Sequence, residues 1–128
     1  MSIETVLYDR LTNHVGLEAL ISSRCYPLVL PQCAVLPAIS YSRVSTVRNS
    51  AMGVDIQLVA MRLQVSVWAS SFSSAITVAA QVRAALQRWS TTTGTVIQDI
   101  FYLNETDLHE PQTGSYHIAC DFEVHYEE

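Results

Sequence analysis

Apolar positions along the chain set the first expectations. Ile3, Val6, Leu7 and Leu11 recur at three- and four-residue spacing, the period of one helical face. Ser2 stands where an N-cap belongs and Glu4 falls in the first turn, so a helix is predicted over about residues 3–13. Asn13 and Gly16 interrupt the pattern, and Leu17, Leu20 and Ile21 predict one more short helical turn. Residues 24–37 contain Pro27, Pro31 and Pro37. Proline fixes φ and lacks a ladder donor, so only short extended pieces are expected there. Residues 38–48 are rich in Ile, Tyr, Val, Ser and Thr and read as a strand. Asn49 to Gln57, with Gly53 inside, reads as a hairpin tip or a longer arm.

The second half is clearer. Over residues 58–69, Met61, Leu63, Val65, Val67 and Ala69 alternate with Arg62, Gln64, Ser66 and Trp68, the period of a half-buried strand. Serines among Ser70–Ser74 can cap the next helix, on which Ala75, Val78, Ala79, Val82, Leu86 and Trp89 share a face. Thr91–Gly94 reads as a turn, Val96 to Leu103 as a strand and Asn104 to Gly114 as a polar loop. In the last strand Tyr116, Ile118, Cys120, Phe122, Val124 and Tyr126 alternate with His117, Ala119, Asp121, Glu123 and His125. The expected fold is one α+β domain over residues 1–128, in the order α-β-β-α-β-β. Its antiparallel sheet would carry two main helices packed on one face.

Composition adds a hint of assembly. Only 15% of the 128 residues are charged, against about 25% in an ordinary soluble domain. All seven basic residues are arginine, and the net charge is −5. Sparse charge with abundant aliphatic residues suggests surface covered by other subunits. Scattered arginines make no basic stripe for phosphate binding, so nucleic acid would be repelled rather than gripped. Neither a signal peptide nor an apolar run near the roughly 20 residues of a membrane span is visible, which predicts an intracellular, soluble product.

No chemistry converges. His117, Asp121 and His125 share a strand face, but positions four apart on a strand are about 13 Å apart, too far for one zinc with bonds of about 2 Å. They read as solvated surface residues. Cys25, Cys33 and Cys120 lack CxxC spacing and read as reduced thiols, with Cys120 on an apolar strand face. No GxSxG elbow or glycine-rich phosphate loop occurs. The expectation is a protein without catalytic residues, metal or cofactor. A small-ligand-binding α+β module, the rival class, would need a concave pocket with convergent polar groups, and the sequence shows none. Trp68 stands on the polar side of its strand, either packed under a helix or at an interface.

Ordered motifs then carry a resemblance. Arg24-x-Tyr26-Pro27, Pro31-Gln32 and Leu36-Pro37-Ala38-Ile39-x-Tyr41 are followed by Val65-x-Val67-Trp68-Ala69 and Val82-Arg83-x-x-Leu86. Glu110-Pro111-x-Thr113-Gly114-x-Tyr116 and Asp121-Phe122-x-Val124 close the series. In order and spacing, over nearly the whole chain, this resembles the tail-completion, or tail-terminator, proteins of long-tailed phages. The resemblance implies a virion protein, in the host cytoplasm before assembly, that forms a ring with itself, typically six-fold. The ring would sit at the head-proximal end of the tail tube, stop its growth and meet the head-completion or connector protein. DNA would only pass through its lumen, and no membrane is involved. Another head–tail connector subunit is the nearer alternative. Candidate subunit contacts are Trp68 and the apolar residues Met52, Val54 and Ile56 of the arm. Candidate lumen residues are Glu105, Asp107 and Glu110, or Asp121 and Glu123.

Overall fold

A computed structural model describes residues 3–22, 24–28, 35–51, 54–92, 95–110 and 115–127, with backbone alone at 48–51, 54–58 and 109–110. The order is α1 (Ile3–Asn13), α2 (Val15–Ile21), β1 (Cys25–Pro27), β2 (Ala38–Ala51), β3 (Val54–Ala69), α3 (Phe72–Leu86), β4 (Ile97–Glu110) and β5 (Ser115–Glu127). The five strands form one sheet in the order β1-β2-β3-β5-β4. The α+β class and the antiparallel pairing of β2, β3, β5 and β4 are as expected. Short β1 pairs parallel to β2, which makes the sheet mixed, and α2 is a third helix.

The alternation in β3 decides the layering. Val59, Met61, Leu63, Val65, Val67 and Ala69 are each at most 2% exposed. Ile118, Cys120, Phe122, Val124 and Tyr126 of β5 join them, and the buried stripes of α1, α2 and α3 close over this one face. Leu7 and Leu11 of α1 and Val82 and Leu86 of α3 are essentially fully buried, as helical periodicity requires. Ser71 starts α3 by accepting a hydrogen bond from the Ser74 amide at 3.3 Å, so the serine cap is real. The Ser2 cap lies outside the described residues.

Three expectations change. Gly16 does not break a helix; it sits inside α2, and the break falls at His14, which has extended backbone and caps α2. The expected loop from Asn104 is mostly strand, because β4 runs on to Glu110 paired with β5. Its polarity read as loop, yet a ladder supplies the backbone partners that polarity alone conceals. Asn49–Gln57 is also largely ladder: β2 and β3 pair out to Ala51↔Val54, beyond the last β3–β5 pair, Leu58↔Glu127. The tip is therefore a two-stranded ribbon projecting from the sheet.

Candidate assembly interface

With all helices on one side, the other sheet face has no helix over it among the described residues. It presents the second set of each alternation: Arg62, Gln64, Ser66 and Trp68 of β3 beside His117, Ala119, Asp121 and Glu123 of β5. Trp68 stands opposite Ala38 on one side and His117 on the other. Its ring stacks on His117 with centroids 3.9 Å apart and planes 12° from parallel. Its Nε1 donates to Ser40 Oγ at 3.3 Å. Trp68 is thus held as a half-buried plate on the helix-free face, and no helix among the described residues packs over it. His117, expected to be solvated, is half-buried by that stack.

Charge on this face is partly internal. Asp121 accepts from Arg62 at 3.4 Å and from Gln64 at 3.2 Å. Glu123 lies 3.7 Å from His125, which meets Phe101 edge-on. Glu105 and Asp107 stand elsewhere. In the β4–β5 register they lie opposite Cys120 and Ile118, on the helix-bearing side. They line an open cleft of about 220 Å³ with Ile76, Ala79, Ala80 and Arg83 of α3. The Tyr102 hydroxyl donates to Glu105 at 2.6 Å; burial and that bond raise the Tyr102 pKa. Glu105 and Asp107 therefore occupy the face opposite to Asp121 and Glu123, while Glu110 falls in register on the helix-free side. Glu110 pairs with Ser115 through the backbone. Val54 belongs to the ribbon ladder and Ile56 to β3, while Met52 lies outside the described residues.

The rest of the chemistry is quiet. Burial pushes the Cys25 thiol up to about 12 and, despite a bond with Tyr102, the Cys120 thiol up to about 11. Both stay protonated and unreactive near neutrality; Cys33 lies outside the described residues. No group of three metal-ligating side chains gathers among the described residues. A second cleft, also about 220 Å³, lies between α1 and the β1–β2 edge, lined by Leu7, Pro27, Leu28, Tyr41, Arg43 and Met61 among others. Both clefts are smaller than the roughly 300–1,000 Å³ of typical ligand pockets.

The family described as tail completion protein gp17 matches residues 5–127. The chain belongs to this family. It is accordingly a structural protein of the tail rather than an enzyme, and it acts through contacts with other particle proteins. No curated protein matches it significantly in sequence. A chain from "Virion of native gene transfer agent (GTA) particle" shares its fold, with a TM-score of 0.84 and 18% identity over 99% of this chain and 96% of that one. A tail completion protein needs surfaces rather than a pocket. The surfaces on offer are the helix-free face, the projecting ribbon and the two outer strands. Of the sequence candidates, the structure places Trp68 on the helix-free face and Val54 and Ile56 at the ribbon end of β3. Which strands lie outermost could not be read from the sequence, because strand order across a sheet is not written in periodicity.

Proposed function

We propose that this protein forms a ring, of six copies as the family resemblance implies, at the head-proximal end of a phage tail tube, where it ends tube growth and joins the tail to the head connector. The match to the tail completion family over residues 5–127 carries this reading. The likeness to a chain of a gene transfer agent virion supports a place in a particle. The helix-free face supports a ring geometry, since a sheet bare on one side can turn that side inward while its helices face out. On this reading Asp121 and Glu123 face the lumen and Glu105 and Asp107 do not. Trp68, with the ribbon carrying Val54 and Ile56 and the adjoining Met52, contacts neighbouring subunits or the tube.

The test is the mass of the purified 14.2 kDa chain in solution and on isolated tail tubes, followed by labelling of its position in virions. A ring at the head-proximal tube end is the expected result. Binding to portal ends but not to tube ends would make it a connector subunit instead.

A further inference from the structure

We infer that successive copies join edge to edge, the outer edge of β4 in one copy pairing antiparallel with the outer edge of β2 in the next, so that the sheet runs on from subunit to subunit. This rests on the ring reading above and names the two different patches that a closed head-to-tail ring requires. Among the described residues, residues 88–91 bond to β4 only at Ile97 and Ile100, β4 beyond Ile100 pairs only with β5, and β2 beyond Tyr41 pairs only with β3, because β1 ends at Pro27↔Tyr41. Two long edges are thus left with unused backbone donors and acceptors. Strand direction fits. β2 and β5 run one way and β3 and β4 the other. A rotation about a ring axis lying roughly along the strands preserves those directions, so β4 meets β2 antiparallel, as every long pair in the sheet does.

Charge selects this pairing over the alternatives. Beyond Ile100, β4 carries three acids, Glu105, Asp107 and Glu110, and no lysine or arginine, while Asp99 is paired with Arg88. β2 carries Arg43 and Arg48 and no acid. A β4–β4 contact sets acid against acid, and a β2–β2 contact sets arginine against arginine, which cross-strand neighbours disfavour. The faces also agree. Arg43, opposite Leu63, and Glu105 and Asp107, opposite Cys120 and Ile118, all stand on the helix-bearing side. Each lines one of the two clefts, so edge pairing would bring the clefts together. Apolar cover is present as well: Val44 and Val47 on β2 and Phe101, Leu103 and Leu108 on β4 are 38–59% exposed.

Charge reversal tests it. Glu105→Arg with Asp107→Arg, or Arg43→Glu with Arg48→Glu, should each raise the concentration at which rings form by about tenfold or more, since like charges then face each other. All four changes in one chain should restore the wild-type midpoint, read by sedimentation with circular dichroism as the check on folding. Should a reversal unfold the chain, the neutral versions (Glu105→Gln with Asp107→Asn, Arg43→Gln with Arg48→Gln) must raise the midpoint and reduce its salt dependence. Wild-type rings whose midpoint none of these variants changes would overturn the edge pairing and leave the ring reading standing. Rings that form normally but no longer cap tubes would overturn it too, and give the edges to a strand of the tube protein. A wild-type chain that remains monomeric both in solution and on tube ends would remove the ring itself.

Discussion

His14 shows how one side chain can make a helix start depend on pH. Its Nδ1 accepts the Leu17 amide at 3.3 Å, which only an imidazole without a proton on that nitrogen can do. Burial first, and then the nearby Arg10, lower its pKa in the folded chain. The folded state therefore binds this proton less readily than the unfolded one. Its contribution is complete above the unfolded value near 6.5 and is lost as pH falls toward the lowered folded value. Thermal unfolding should show a fall in Tm between pH 7 and pH 5 that His14→Asn removes, the cap being worth about 1 kcal/mol. An unchanged slope in the variant would mean that the cap is not the titrating element. Trp68 belongs to this scale too. It lies outside the core cluster, on the opposite sheet face, held by His117 and Ser40. Trp68→Ala should leave the circular dichroism spectrum and most of the stability intact. If the ring is an interface for this ring system, assembly weakens by about 2 kcal/mol, as truncated central aromatics do. Sedimentation reads that loss, and an unfolded variant would reassign Trp68 to a structural role.

At the scale of elements, the ribbon formed by the ends of β2 and β3 stands beyond the reach of β5, whose last pair with β3 is Leu58↔Glu127. A two-stranded ribbon is marginal alone, and this one carries Ala51, Val54 and Ile56, with Met52 beside them in sequence. Apolar residues on such a projection gain most when a neighbouring subunit or the adjacent ring covers them. Replacing residues 50–56 by Asn-Gly removes only pairs beyond that last β5 contact, so the shortened chain should fold. It should also fail to form rings or to complete tails; completion at the normal rate would show that the ribbon is dispensable. The sequence made this element half legible. Alternation announced β3 and β5 because one face is packed and the other is not, and the stripe from Ala75 to Leu86 announced α3 for the same reason. It hid the end of β4, where Asn104, Glu105, Thr106 and Asp107 are exposed and no buried side sets a period. It allowed a short extended piece at β1 but not its partner, since three residues ending in Pro27 carry no pattern and depend on β2 for their pairing.

For the whole molecule, the question is which surface DNA would meet. The chain has a net charge of −5, and its seven arginines are dispersed or engaged: Arg62 with Asp121, Arg88 with Asp99, Arg43 with Glu4. Phosphate binding scales with the number of cations that displace counterions, and no face here gathers enough of them. The isolated protein should bind duplex DNA no more tightly than the roughly 10⁻⁴–10⁻⁶ M of non-specific binding at physiological salt. Tight binding would contradict a lumen through which DNA slides. Because Glu105 and Asp107 lie on the opposite sheet face from Asp121 and Glu123, one substitution on each side separates passage from assembly. Glu123→Lys raises the net charge of the helix-free face by two per subunit without touching the core or the outer edges. Virions carrying it should assemble in normal numbers yet eject DNA more slowly, the delay shrinking as salt screens charges beyond about 8 Å at 0.15 M. Asp107→Lys, on the helix-bearing side of β4, should do the reverse, lowering assembly and leaving ejection from the surviving particles unchanged. Identical ejection by Glu123→Lys and wild-type virions would take the helix-free face out of the lumen.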